Sequence, residues 1–81
     1  MSKITIECRI PAAELCEDVS IPYEKPMSDT FELLKTLFSS NASFKPDEKT
    51  ILCDSSTGKL FDLTLSPEEL GLAHGSSVML L

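Results

Sequence analysis

The stretch that decides the fold runs from residue 28 to residue 38 and reads SDTFELLKTLF. Phe31, Leu34 and Phe38 are spaced i, i+3 and i+7, and Leu37 lies beside them. This spacing places the four apolar side chains along one side of a helix. It is the strongest helical signal in the chain. The other segments alternate as strands do, so we expect this one helix to pack against a sheet.

Short polar side chains mark the beginning of this helix, which is predicted from about residue 29 to residue 40. An oxygen of Ser28 or Asp29 can accept a hydrogen bond from the free N–H groups of the first turn. Asp29 and Glu32 also have the spacing of a capping box. Asn41 is suited to the left-handed conformation that often ends a helix.

The sequence before the helix alternates with a period of two, which is typical of half-buried strands. Between residues 3 and 10, three isoleucines and Cys8 alternate with polar residues. Residues 11–14 read PAAE and predict a turn, so the first two strands form a hairpin. The predicted inward positions of the second strand are Leu15, Val19 and Ile21.

Shorter elements follow the helix. Residues 49–54 read KTILCD and predict a third strand. If Ile51 and Cys53 face the helix, Leu52 faces outward. Residues 59–63 predict a short fourth strand.

The end of the chain predicts one turn of helix and a last strand. Ser66 is a suitable N-cap and Pro67 a suitable first helical residue. Residues 77–81 read SVMLL and predict a strand. If its Val78 and Leu80 face the core, Met79 and Leu81 face outward.

This order of elements indicates one α+β domain over residues 1–81. A single main helix can cover one face of a mixed, four- to five-stranded sheet. If the first and last strands are neighbours at the centre of that sheet, they run parallel. That is the β-grasp arrangement.

Composition narrows the classes of function. The 81 residues carry a net charge of −6, and an acidic surface repels nucleic-acid phosphates. No apolar run approaches the ~20 residues that span a bilayer, so no membrane contact is expected. No signal peptide is apparent, which favours the cytoplasm or the nucleus. We expect a monomer whose partners are other proteins.

The residues give little support to catalysis, metal binding or a cofactor. Three widely spaced cysteines fit neither a disulfide framework nor a zinc site. Cys8 and Cys53 fall on inward strand positions and Cys16 on an outward one. Asp54, Ser55 and His74 supply the residue types of a hydrolytic triad without its sequence context. We expect a non-enzymatic protein with no cofactor.

Three stretches resemble the ubiquitin-like family. Residues 43–52 read SFKPDEKTIL, residues 58–60 read GKL, and residues 70–81 read LGLAHGSSVMLL. They are similar to the loop and strand after the helix of ubiquitin, to its next turn, and to the end of many ubiquitin-like domains. Two shorter matches resemble the ubiquitin-fold modifier: VSIP at residues 19–22 with Pro26 ahead of the helix, and HGS at residues 74–76 before the last strand.

The resemblance implies a domain that works by protein–protein recognition in a ubiquitin-type modification pathway. The surface it implies would use outward residues of the third and last strands, Leu52, Met79 and Leu81, with Lys59 at the rim. The alternative is a covalent modifier like the ubiquitin-fold modifier, whose C-terminal glycine tail is not among these 81 residues. A sulfur carrier on the same fold would need such a glycine too.

Overall fold

The computed structural model describes residues 2–40 and 44–81. The predicted Asn41 cap therefore lies outside the described residues. The elements, in chain order, are strand β1 (Lys3–Ile10), a short 3-10 turn (Pro11–Ala13), strand β2 (Leu15–Pro22), helix α1 (Met27–Phe38), strand β3 (Leu52–Asp54) and strand β4 (Ser77–Leu80).

The four strands form one mixed sheet in the order β2-β1-β4-β3. Strand β1 pairs antiparallel with β2 and parallel with β4, and β3 pairs antiparallel with β4. The first and last strands are therefore parallel neighbours at the centre. The predicted β-grasp arrangement is confirmed, with four strands.

One face of the sheet forms the core. The alternation predicted for β1 is confirmed, because Ile4, Ile6, Cys8 and Ile10 are all buried. The residues that fill the core around them are Val19 and Ile21 of β2, Leu34 and Phe38 of α1, and Val78 and Leu80 of β4. Leu15, the third predicted inward residue of β2, is only partly buried.

Helix α1 begins two residues earlier than predicted and is capped differently. The backbone N–H groups of Met27 and Ser28 donate to the carbonyl oxygens of Leu65 and Leu63, at 2.7 and 3.0 Å. Among the described residues, no side chain caps the beginning of the helix, so the prediction that Ser28 or Asp29 does so is wrong. Carbonyls from a distant segment satisfy the free N–H groups that a cap would otherwise bind.

The buried face of α1 follows the predicted stripe at Leu34 and Phe38 but not at Leu37. Met27, Thr30, Leu34 and Phe38 are its buried residues, whereas Leu37 is 51% exposed. The expectation that Leu37 faces the core is therefore wrong. Phe31 is half-buried and packs at the flank of the core. Met27, which lies outside the predicted helix, and Thr30 complete the buried face.

Residues 55–76 connect β3 to β4 without a strand or a helix. Leu60 makes one isolated antiparallel bridge with Cys53, so the predicted fourth strand is absent from the described residues. Ser66 and Glu69 form a reciprocal capping box, in which each backbone N–H donates to the other side chain, at 3.0 and 3.1 Å. The predicted turn of helix is only a hydrogen-bonded turn, which ends at Gly71 with φ of +76°.

Leu34 lies at the centre of the core and Leu37 on the solvent side of the same helix. Truncating Leu34 to alanine should lower the free energy of unfolding by about 2–5 kcal/mol, because the cavity cannot fully collapse. Leu37→Ala is the matched control and should change it by less than ~0.5 kcal/mol. Urea denaturation measures both, and similar losses would contradict the burial of Leu34 and the exposure of Leu37.

Thr30 is fully buried, and its Oγ1 has no hydrogen-bond partner among the described residues. Thr30→Val keeps the shape and removes the unpaired hydroxyl, so it should stabilise the protein by on the order of 1 kcal/mol. Thr36→Val, at an exposed position of the same helix, is the control and should have little effect. A destabilised Thr30→Val protein would show that the hydroxyl is bonded in solution.

Candidate functional site

The sheet face opposite α1 presents apolar side chains where β3 and β4 meet. Ile51 and Leu81 exchange two backbone hydrogen bonds of 2.9 Å each, and Cys53 pairs with Met79. Directly opposed residues of antiparallel strands share a face. Ile51, Cys53, Met79 and Leu81 therefore lie together on the outer face.

Leu60 extends this surface, because its bridge with Cys53 places it beside that residue on the same face. Leu60 is 63%, Leu81 45% and Ile51 40% exposed, and Met79 is half-buried. We refer to these four residues as the outer apolar patch: Ile51, Leu60, Met79 and Leu81.

One residue that was predicted to face outward faces the core instead. Leu52 is only 3% exposed and pairs with Leu80, which lies in the core. The prediction that Leu52 faces outward is wrong, and so is the inward orientation expected for Ile51. The structure places Met79 and Leu81 on the outer face, as expected.

The error has a physical origin in the run Ile51-Leu52-Cys53. Three consecutive apolar residues give no alternation from which to read the inward face. Strand β3 also begins at Leu52, three residues later than predicted. The outward orientation of Ile51 and Leu60 was not predicted from the sequence. Leu81 was correctly assigned to the outer face, and only the pairing of Ile51 with Leu81 could have assigned Ile51 to the same face.

A polar network borders the patch on the β1 side. Arg9, which pairs with Met79, donates to Glu7 Oε1 at 2.7 Å. Ser77 Oγ lies 3.3 Å from the same oxygen and 2.9 Å from Ser55 Oγ. The hydrogen bond and positive charge of Arg9 hold the pKa of the Glu7 carboxyl below its usual value. The side of the patch next to β1 is therefore charged.

Lys59 lies in the turn that leads from β3 to Leu60. The Asp54 N–H donates to the Lys59 carbonyl at 2.8 Å, and the Gly58 N–H to the Asp54 carbonyl at 2.8 Å. Gly58 has φ of +75°, a conformation that glycine adopts without strain. The turn presents the exposed Lys59 immediately before Leu60, a residue of the patch.

The residue types of a hydrolytic triad are each bonded elsewhere. Asp54 Oδ1 accepts from Ser56, Ser55 Oγ contacts Ser77, and Nδ1 of His74 accepts from the Thr5 N–H at 3.0 Å. Within residues 2–40 and 44–81, no group of three His, Cys, Asp or Glu side chains is arranged to hold a metal ion. In the same residues, no helix has the length and apolar character needed to cross a bilayer.

Solved structures with the same architecture are numerous at low sequence identity. The ubiquitin of Caldiarchaeum subterraneum aligns with 98% of this chain and 91% of its own, with a TM-score of 0.78 and 15% identity. The ubiquitin-like domain of a Mycobacterium tuberculosis type VII secretion system protein aligns over 100% and 99%, with a TM-score of 0.69 and 17% identity.

This chain has the ubiquitin-like β-grasp fold. A chain of the toluene 4-monooxygenase HD complex with 4-bromobenzoate also shares it, with a TM-score of 0.82 and 13% identity over 98% of this chain and 96% of that one. No protein-family model and no curated protein sequence matches the chain.

The three cysteines of this ubiquitin-like fold are free thiols in different surroundings. Cys8 and Cys53 are buried and Cys16 is exposed. Burial raises the pKa of Cys8 to about 11 and also raises the pKa of Cys53. The predicted burial of Cys53 is confirmed, but it lies on the outer face, between Met79 and Leu60, and not in the core.

Alkylation by iodoacetamide in native buffer should therefore modify Cys16 first. Partial desolvation and the nearby charge of Glu7 raise the pKa of Cys16, so its rate should still be increasing as the pH is raised. Cys8 should stay protonated and protected until its pKa of about 11 is approached or the fold opens. Peptide mapping by mass spectrometry identifies the site, Cys16→Ser is the control, and rapid modification of Cys8 or Cys53 would contradict the burial.

Proposed function

We propose that this chain is a ubiquitin-like protein or domain that acts by protein–protein recognition in a ubiquitin-type modification pathway. The observation that carries the proposal is the outer apolar patch. Its three most exposed residues, Ile51, Leu60 and Leu81, contribute little to the core, and exposed apolar patches often mark interaction sites. The partner would dock a short apolar helix or strand against them.

The patch has the layout of a small recognition surface. Its apolar centre would supply most of the affinity, while Arg9 and Lys59 at its edges would tune the association rate. Half-buried Met79 adds an adaptable side chain at the centre. On a domain of this size the contact area falls at or below that of a standard interface, so we expect modest affinity.

The other properties proposed with this function follow from the same features. We propose a non-enzymatic monomer without cofactors that works in the cytoplasm or the nucleus, where free thiols like those of this chain persist. The alternative of a covalent modifier akin to the ubiquitin-fold modifier rests only on the short VSIP and HGS matches. We therefore favour recognition over conjugation.

Charge substitutions within the patch test the proposal. Ile51→Asp and Leu81→Asp each place a carboxylate among apolar side chains that are already exposed, so the fold should survive. Quantitative pull-down from cell extract should lose the same set of partners with both variants, because a desolvated charge opposes apolar docking.

Leu37→Asp is the matched control, because Leu37 is a similarly exposed leucine on the opposite side of the molecule. Circular dichroism establishes that all three variants are folded. The proposal fails if the partners captured by the two patch variants equal those captured by the wild-type protein and by Leu37→Asp.

A further inference from the structure

The side chain of His74 takes part in the hydrogen bonding between the two central strands. Its Nδ1 accepts from the backbone N–H of Thr5 at 3.0 Å. Thr5 belongs to β1, whereas His74 precedes β4, which begins at Ser77. The bond therefore joins β1 to the turn that leads into β4.

The imidazole lies where a regular ladder would have a carbonyl. Two residues further along β1, the Glu7 N–H donates to the Ser76 carbonyl at 2.8 Å. The bonds of a parallel ladder are evenly spaced, so the Thr5 N–H would meet the His74 carbonyl if β4 extended that far. The chain turns at Gly75 instead, where φ is +87°, and the ring nitrogen takes the place of that carbonyl.

The turn is held by hydrogen bonds of its own. The Ser76 N–H donates to the Ala73 carbonyl at 3.0 Å, and the Ala73 N–H donates to Ser76 Oγ at 3.0 Å. The Gly75 N–H donates to the Thr5 carbonyl at 2.9 Å. Both backbone polar groups of Thr5 are thus bonded to the turn, and one of these two bonds depends on a titratable side chain.

This bond requires a neutral imidazole. A ring nitrogen that accepts a hydrogen bond carries no proton, so the proton of the neutral ring is on Nε2. Protonation makes Nδ1 a donor, which would then face the N–H of Thr5, and the bond is lost. Histidine is the side chain whose charge ordinarily changes between about pH 5 and 8.

The charged side chains of the neighbouring segments belong to classes that titrate outside that range. These side chains are Lys3 and Glu7 of β1, Asp18 of β2, Asp54 of β3, and Glu68 and Glu69 of the connection before the turn. Carboxyl groups ordinarily titrate near about pH 4 and lysines near about pH 10. The hydrogen bond and charge of Arg9 lower the pKa of Glu7 further. His74 is the one histidine of the 81 residues, so a change between about pH 5 and 8 is assigned to it.

We propose that His74 is a proton-sensitive link, which joins the turn at residues 73–76 to β1 when its imidazole is neutral and releases it when the imidazole is protonated. The bond from Glu7 to the Ser76 carbonyl does not depend on the ring, so the opening is confined to the beginning of β4. Met79 and Leu81 of the outer apolar patch lie at the other end of this strand. The inference is therefore independent of the proposed recognition function.

Amide hydrogen exchange followed by NMR tests the link. Exchange rates are divided by those of an unstructured peptide at the same pH, which gives the protection of each N–H. The protection of Thr5 should be roughly twofold to tenfold lower at about pH 5 than at about pH 8, the scale of one net hydrogen bond. The N–H of Val78, within β4, is the internal reference for opening of the whole sheet.

Two substitutions give the bonded and the released state at every pH. His74→Asn offers a carboxamide oxygen in place of Nδ1, so it should retain the protection of Thr5 under both conditions. His74→Ala removes the acceptor and should lose that protection under both. The wild-type protein should match His74→Asn at about pH 8 and His74→Ala at about pH 5. His74 is exposed, so both variants should fold, which circular dichroism verifies.

Three results would overturn the proposal. Equal protection of Thr5 in the wild-type protein under both conditions would show that protonation does not release the bond. Equal protection in the wild-type protein and in His74→Ala at about pH 8 would show that the bond is not formed in solution. A pH-dependent loss that is as large in His74→Asn as in the wild-type protein would assign the change to another group.

Discussion

One helix of twelve residues has to cover the apolar face of a four-stranded sheet. Helix α1 alone does not complete that cover. Leu72 joins the core, and Phe61, Leu63 and Leu70 pack against it, all from the connection between β3 and β4. The irregular segment from residue 55 to residue 76 is therefore part of the core's enclosure, which explains why it carries so many apolar residues without forming a strand or a helix.

The need to enclose the core also explains how helix α1 begins. The carbonyl oxygens of Leu63 and Leu65 accept from the first N–H groups of α1, while the side chain of Leu63 packs against the core. A backbone segment that has to lie there for packing also satisfies the helix terminus, so a side-chain cap is not needed. Ser28 and Asp29, suited to capping in an isolated helix, lie in the first turn instead.

How much could be predicted from the sequence depended on whether a pattern was local. The strict alternation of β1 determined its buried face, and the strand order determined the β-grasp architecture. The predicted helix stripe was right at Leu34 and Phe38 and wrong at Leu37, because the buried face is completed instead by Thr30 and by Met27, which distant carbonyls hold in the helix. The predicted orientation of Leu52 was wrong because three consecutive apolar residues show no alternation from which to identify the inward face. The apolar cavity of about 190 Å³ beside β3 was beyond prediction, since its walls come from three separate parts of the chain: Phe31, residues 50–52 and residues 60–63.

The surface available for recognition follows from the same enclosure. Leu60 is held on the outer face by its bridge to Cys53, while the next residue, Phe61, donates its N–H to the Leu52 carbonyl at 3.2 Å and packs against the core. One short segment thus closes the core with one side chain and exposes an apolar side chain with the other. Its backbone bonds to β3 fix both orientations at once. Residues 60–63 therefore contribute to both the outer apolar patch and the cavity. A change in the backbone path of these residues would alter both, together with the beginning of α1.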